Sequence, residues 1–364
     1  DWNENPSSGS ATFTTITEGF KRTQVTSGDA ASPWNQRVTQ DVSSVLTVGK
    51  FYRFKATFLT SGGGDLHVRI SKSNSQDKQV GDKYSTVANV AQSINIIFEC
   101  TNNTGQFIDI WCDTTKSAGT FIEISNISLK EVGQDWDFGT GWSVGDSKAV
   151  GDGTSFSELI QSSTLTSGKF YKLNFEIKDY VSGTFRLLPS TRADGADIRF
   201  SGNGTQTVYY ESASTDLNIQ QQQFLGSVTN ISVKEVGQHW SFGTGWSMGD
   251  GVAICDGSQS SNSNLQQNTG VPTVGKTFKI SYKVSNYTAG AGNIGMGGYD
   301  YAGSAITSNG QFTQEQTVTN ASSNTSFYVT ASSNFAATID NIVVEELKHD
   351  ATNLMLNAGA YQSA

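Results

Sequence analysis

The stretch Asn230–Asp250 reads NISVKEVGQHWSFGTGWSMGD, and Asn126–Asp146 reads NISLKEVGQDWDFGTGWSVGD. They differ only at Val233/Leu129, His239/Asp135, Ser241/Asp137 and Met248/Val144, so seventeen of twenty-one positions match. Near-identity across 230 − 126 = 104 residues marks a repeat boundary.

Outward from that boundary, each repeat carries one strand of clear period-two alternation. In the first it is Leu46–Phe58, where Tyr52, Phe54 and Phe58 alternate with Arg53, Lys55 and Thr57. In the second it is Leu165–Ile177, with Tyr171, Leu173, Phe175 and Ile177 on one face, and in the third Val274–Val284, with Phe278, Ile280, Tyr282 and Val284. Alternation at this period predicts strands with one face in a core. Shorter strands follow in matching order: Ile108 and Ile110 correspond to Leu217 and Ile219 and to Phe327 and Val329, and a closing strand ends each unit. Turns of Gly, Ser and Asn separate the strands, and helical signals are nearly absent.

The expected architecture is therefore all-β: three tandem antiparallel β-sandwich (jelly-roll) domains, at residues 1–133, 134–237 and 238–347, with 348–364 a linker or the start of a further segment. The hinges Glu131-Val-Gly-Gln134 and Glu235-Val-Gly-Gln238 are short. At a radius of gyration of about 13 Å per 100 residues, three such beads make a stiff rod of roughly 100 Å. The opening dipeptide Asp1-Trp2 matches Asp135-Trp136 and His239-Trp240, so the sequence is expected to start at a repeat boundary inside a longer protein.

Composition narrows the function. Only 16% of the 364 residues are charged and the net charge is −9, so the surface is a neutral one of Ser, Thr, Asn, Gln and Gly. The 24 Lys and Arg are scattered, against the clustered cations that nucleic-acid binding requires. No run approaches the length of a membrane span, and no membrane insertion is expected. His67, His239 and His349 have no His partner at ligand spacing, and no acidic position repeats in an apolar strand, so no catalytic residues are expected. The glycine-rich Gly139–Gly141 and Gly295–Gly298 lie among strands and lead into no helix that could cradle phosphate. Cys100, Cys112 and Cys255 lack metal spacing and read as small buried residues.

Two groups of residues stand out. If Ile108 and Ile110 face inward, Phe107, Asp109 and Trp111 face outward together, and rings beside a carboxylate suit a sugar: the ring covers its C–H face while the acid accepts from its hydroxyls. Tyr328 holds the place of Asp109 in the third repeat and Asn218 in the second. The alternatives are that Trp111 covers an inter-domain or inter-subunit contact, or that it belongs to the core in a register shifted by one. Trp136, Trp142, Trp240 and Trp246 recur in pairs beside the hinges and are expected to pack the first strand and the domain junction.

The order Trp-x-Phe-Gly-x-Gly-Trp, then Gly-Lys-Phe-Tyr, then Ile339-Asp-Asn-Ile-Val-Val344 resembles the jelly-roll carbohydrate-binding modules of families 4 and 9 and their relatives in bacteriophage tail, head-fibre and decoration proteins. The resemblance covers nearly the whole chain, through core and turn positions. It implies a non-enzymatic structural or adhesive virion protein at the virion surface or outside the cell. Its partners would be other virion proteins or copies of itself in a homo-oligomer, and host-surface glycans. The alternative is a secreted bacterial polysaccharide-binding protein or adhesin. The same resemblance puts a structural calcium near the acid of the last strand. Only Asp340 matches, Ser125 and Thr229 standing at the equivalent places, so a calcium shared by all three domains is not expected, the third domain is the one place where the resemblance leaves room for it, and no cofactor is expected otherwise.

Overall fold

The computed structural model describes residues 2–4, 11–26, 37–62, 64–72, 78–112, 117–270, 274–297, 300–301, 303–319 and 326–347. Apart from a 3₁₀ turn at Pro189–Thr191, the regular structure among them is β-strand paired in antiparallel sheets.

The first repeat has ten described strands: β1 (Asn3–Glu4), β2 (Ala11–Ile16), β3 (Gly19–Gln24), β4 (Val38–Asp41), β5 (Phe51–Thr60), β6 (Gly64–Lys72), β7 (Lys78–Thr86), β8 (Gln92–Glu99), β9 (Gln106–Cys112) and β10 (Phe121–Val132). One sheet has the order β1-β4-β9-β6-β7 and the other β2-β3-β10-β5-β8. Both give their apolar face to a single core, the first through Val38, Leu66, Val68, Ile70, Ile108 and Ile110, the second through Phe20, Tyr52, Phe54, Phe58, Ile94 and Ile124. Side chains that alternate along each strand make this a two-sheet sandwich. The ten described strands from Trp240–Phe242 to Ala336–Leu347 repeat the same order in two further sheets around a second core, which includes Trp246, Ile280, Tyr282, Val284, Phe327, Val329 and Phe335.

The second repeat has eight described strands, because Phe170–Leu187 and Leu217–Val236 each run through where the other repeats use two strands. Sequence reading expects separate strands at Phe185–Leu187 and Val228–Val236. Left-handed residues inside the long strands (Asp179, φ 53°; Gly183, φ 78°; Gln223, φ 55°) bend them without breaking them. The chain divides into two compact units, Asp1–Ser162 with Lys178–Phe185 and Gln220–Thr229, and Ser163–Ile177 with Arg186–Ile219 and Asn230–Ala364, so the second repeat is shared between them.

The closing strands explain one recurring dipeptide. Pairing of β10 with β5 slips between Ser125 and Ser128, and Asn126 at the slip has φ 52°; Asn230 and Asn341 take 54° and 52° at the same places. Asparagine tolerates the left-handed region better than other side chains with a Cβ, so Asn-Ile in all three repeats is bulge chemistry.

Candidate functional site

The outer face of the β1-β4-β9-β6-β7 sheet gathers the residues singled out in the first repeat. With Ile108 and Ile110 in the core, Phe107, Asp109 and Trp111 do lie on the opposite face. Across the ladders, Asp109 sits between Thr39 and Arg69, Trp111 opposite His67, and Phe107 between Asp41 and Ser71.

Asp109 is not the exposed acceptor expected from sequence. It is 2% exposed, and its carboxylate is held from both sides: Arg37 donates Nε–H to Oδ1 at 3.1 Å, and a terminal N–H of Arg69 reaches Oδ2 at 2.9 Å. A carboxylate removed from water needs such partners, because its desolvation costs several kcal/mol. Trp111 is half-buried, and the His67 imidazole lies parallel to it with centroids 4.8 Å apart and planes 1° apart. The guanidinium carbon of Arg69 is 5.6 Å from the indole centroid. What remains open is an aromatic and guanidinium edge; beneath it, Arg69 Nε and Ser71 Oγ are buried with no hydrogen-bond partner among the described residues.

In the third repeat, Tyr328 is 1% exposed, so its ring offers no stacking surface. Its strand is central in its sheet and is covered on both faces, Phe327 and Val329 on one and Tyr328 and Thr330 on the other. Asp340 is half-buried on the closing strand and accepts the backbone N–H of Asn341 at 2.7 Å. Among the described residues no group of three or more His, Cys, Asp or Glu is placed to hold a metal. Cys100 and Cys255 are buried free thiols, and burial pushes Cys255 up to about 11. Cys112's side chain and His349 lie outside the described residues.

The tryptophans separate into two kinds. Trp142 and Trp246 are each 4% exposed, and their indole N–H groups donate to Ser157 O at 3.1 Å and Ser263 O at 3.2 Å. Trp142 packs on Phe185 and Phe224, and Trp246 on Phe335, so both are interior residues of their own repeats and not junction residues. Trp136 and Trp240 are half-buried; Trp240 meets Phe327 edge to face at 6.0 Å, also within the third repeat.

The contacts between successive repeats are made by residues the sequence reading passed over. Phe51 meets Phe138 with centroids 5.0 Å apart, and Phe170 meets Phe242 at 4.4 Å. Beside each pair is a salt bridge, Arg53 to Asp146 at 2.6 Å and Lys172 to Asp250 at 3.2 Å. All four residues of one contact occupy the places of their counterparts in the other. The hinge turns also match: Trp136 N–H donates to Gly133 O and Trp240 N–H to Gly237 O, with φ of 70° and 67° at the glycines. A Cβ on Gly133 or Gly237 would lie 2.8 or 2.9 Å from the Phe138 or Phe242 ring. The signal was present in the Gly-Lys-Phe-Tyr strand, which carries Phe51 and Phe170 but becomes Thr277 in the third repeat.

The rings carry the energy of these junctions and the charges orient them. Asp146 and Asp250 side chains are 71% and 84% exposed, so water screens both pairs and they stabilise little. The Tyr209 hydroxyl, at 2.5 Å, and the Lys172 ammonium hold the Asp250 carboxyl below its ordinary range, while Tyr209 and Asp250 raise Lys172. The Asp250 contribution is therefore present above the ordinary carboxylate pKa and lost as pH falls through the lowered value. That of Lys172 is present below the ordinary lysine pKa and lost as pH rises through the raised one.

No family model matches the chain, and no curated protein does. Solved structures with some similarity include a family 4 carbohydrate-binding module, "CBM4 structure and function", at 12% identity and TM-score 0.29 over 36% of this chain and 86% of that one. Another is the CBM22-1–CBM22-2 tandem domain of Paenibacillus barcinonensis Xyn10C, at 6% identity and TM-score 0.29 over 95% and 93%. A third is from the Sulfolobus Turreted Icosahedral Virus structure, at 13% identity and TM-score 0.20 over 96% and 91%. At these scores the likenesses carry no weight in assigning a function. Among the described residues no helix is long and apolar enough to cross a membrane.

Proposed function

We propose that this chain is a non-enzymatic structural protein of a virion, a fibre or decoration component, in which three β-sandwich repeats are held as a stiff string and assemble with copies of themselves or with other virion proteins. The observation that carries the reading is the junction made twice with matched parts: ring on ring, a cation on an aspartate, and a glycine hinge closed by its own turn. Domains joined only by a linker move relative to one another by default. Residues spent twice on the same contact oppose that motion, which suits a spacer. The neutral Ser/Thr/Asn/Gly surface and the resemblance in the Trp-x-Phe-Gly-x-Gly-Trp and Gly-Lys-Phe-Tyr motifs support the virion setting.

Small-angle scattering tests the stiffness. The wild-type chain is expected to extend roughly 100 Å as one rigid particle, and Phe242→Ala to broaden its distance distribution while each repeat keeps its strand signature in circular dichroism. A wild-type profile already typical of freely jointed beads overturns the reading. The virion setting is tested by imaging gold-labelled antibody on native particles, where absence of label at regular positions refutes it.

Glycan binding by the first repeat, on a virion or in a secreted bacterial adhesin, is the second reading. Its support is the half-buried Phe107 and Trp111 on one outer face, beside the Arg69 guanidinium. Asp109 enters only by orienting the two arginines. In a pull-down on immobilised host-surface glycan, Trp111→Ala is expected to lose most retention; equal retention of variant and wild type removes this face.

A further inference from the structure

We infer that the edge strand β2 of the first repeat is where two copies of this chain meet, each β2 pairing antiparallel with the same strand of the second copy across a two-fold axis. The inference rests on the self-assembly proposed above and names the surface that performs it. Strand β2 ends the β2-β3-β10-β5-β8 sheet, and among the described strands it pairs with β3 alone. Its sequence, Ala11-Thr-Phe-Thr-Thr-Ile16, has no charge, no proline and no register shift against β3, and Thr12, Phe13, Thr14 and Thr15 are exposed. Such an edge presents a straight row of free backbone N–H and C=O groups, which natural sheets otherwise shorten, charge or bulge. The counterparts in the other repeats are shortened: Trp142–Val144 and Trp246–Met248 have three residues each, where β2 has six.

A ring left open at this edge calls for a cover. Phe13 stands opposite Arg22, and Arg22 opposite Ile122, four residues before Asn126. In the same ladder positions run Trp142, Gly151 and Gly226, four before Asn230, and Trp246, Cys255 and Ala337, four before Asn341. Phe13 thus holds the place of two tryptophans that are each 4% exposed, yet it is itself 38% exposed, with its ring stacked on Phe20 at 5.0 Å. Edge position alone does not explain this, because β8, at the other edge of the same sheet, keeps Ile94, Ile96 and Phe98 buried.

The cover that fits is the strand itself. A two-fold axis relating antiparallel strands is normal to the sheet, so both cores lie on the same side and one residue faces its own copy. Setting Phe13 against Phe13 of the second copy lets each open ring cover the other and brings Thr12 opposite Thr14 and Ala11 opposite Thr15. Aromatic and threonine pairs stabilise such a ladder, whereas like charges set opposite each other weaken it. A strand that meets itself must therefore be uncharged, while one that meets a different protein can carry charge matched by its partner. The exposed Glu315 in the edge strand Gly310–Thr317 of the third repeat opposes the same pairing there.

The test is the mass of the full chain by analytical ultracentrifugation from micromolar to near-millimolar concentration, with hydrogen exchange at Ala11–Ile16 followed over the same range. A seam of six residues makes a modest dimer, which the holding of many copies on one particle strengthens. A monomer–dimer equilibrium is expected, in which the amides of residues 11–16 gain protection as dimer forms. Thr12→Glu combined with Thr14→Glu sets carboxylate against carboxylate whichever of Thr12, Phe13 or Thr14 lies on the axis, and is expected to weaken the dimer tenfold or more. Both positions are exposed, so the change leaves the core alone. A chain monomeric throughout, exchange at residues 11–16 indifferent to concentration, or a dimer undiminished by the double substitution overturns the pairing. Stiffness and the virion setting are judged by scattering and by labelling of native particles, so their failure is read separately from the absence of this dimer.

Discussion

Asp109→Ala is expected to lower the stability of the first sandwich by about 3–5 kcal/mol, the usual cost of removing one partner from a buried ion pair. The substitution removes the carboxylate that bridges Arg37, whose side chain is 7% exposed, and Arg69, at 28%. Urea denaturation followed by circular dichroism, read at the first-repeat transition, measures it. Asp109→Asn, which keeps the shape and two acceptor lone pairs, is expected to lose less. A loss below about 1 kcal/mol, the ceiling of a solvent-exposed pair, would mean that the carboxylate is not desolvated. The consequence for function is direct: lost glycan retention in an Asp109 variant would report a disturbed face, so Trp111 is the residue on which the site must be judged.

Trp246→Ala carries the other large effect, about 3–5 kcal/mol in the third repeat, as for other fully buried aromatics. The indole fills a gap against Phe335 and its N–H donates to the carbonyl of Ser263, so the deletion leaves a cavity and removes a buried hydrogen bond. Trp240→Ala, from a half-buried ring, is expected to cost clearly less. Because several repeats unfold in one chain, the loss is to be read from the midpoint of the third-repeat transition and not from a global fit. Equal effects of the two substitutions would contradict the division of these tryptophans into interior and partly exposed.

Much of the fold was legible because period two is a strong signal where one face is apolar. Tyr52, Phe54 and Phe58, and Tyr171, Leu173, Phe175 and Ile177, are all buried as the alternation requires. The same signal assigned Asp109 and Tyr328 to the face away from the core, and that parity is correct. Parity says which way a side chain points and not whether anything covers it, and here the outer face is covered at both residues. The arginines that cover Asp109 are 72 and 40 residues away in sequence, beyond any local pattern. Trp142 and Trp246 were assigned to the junction because they recur beside the hinge. Recurrence marks whatever both repeats need, and both need an interior ring; the junction itself lay four residues earlier, at Phe138 and Phe242.

The near-identity of the closing segments has a cost during folding. Strand β10 finds β5 through a ladder that ends at Val132 and Phe51, and Asn230–Val236 differs from Asn126–Val132 only at Val233. In a fully unfolded chain either segment satisfies the ladder of either repeat, and tandem domains with interchangeable strands misassemble in this way. Refolding from denaturant is therefore expected to leave a trapped fraction that does not depend on protein concentration, and refolding to a single species in full yield would refute the exchange. Synthesis from the N-terminus avoids the ambiguity, because the first repeat closes on its own strand before the second copy has been made.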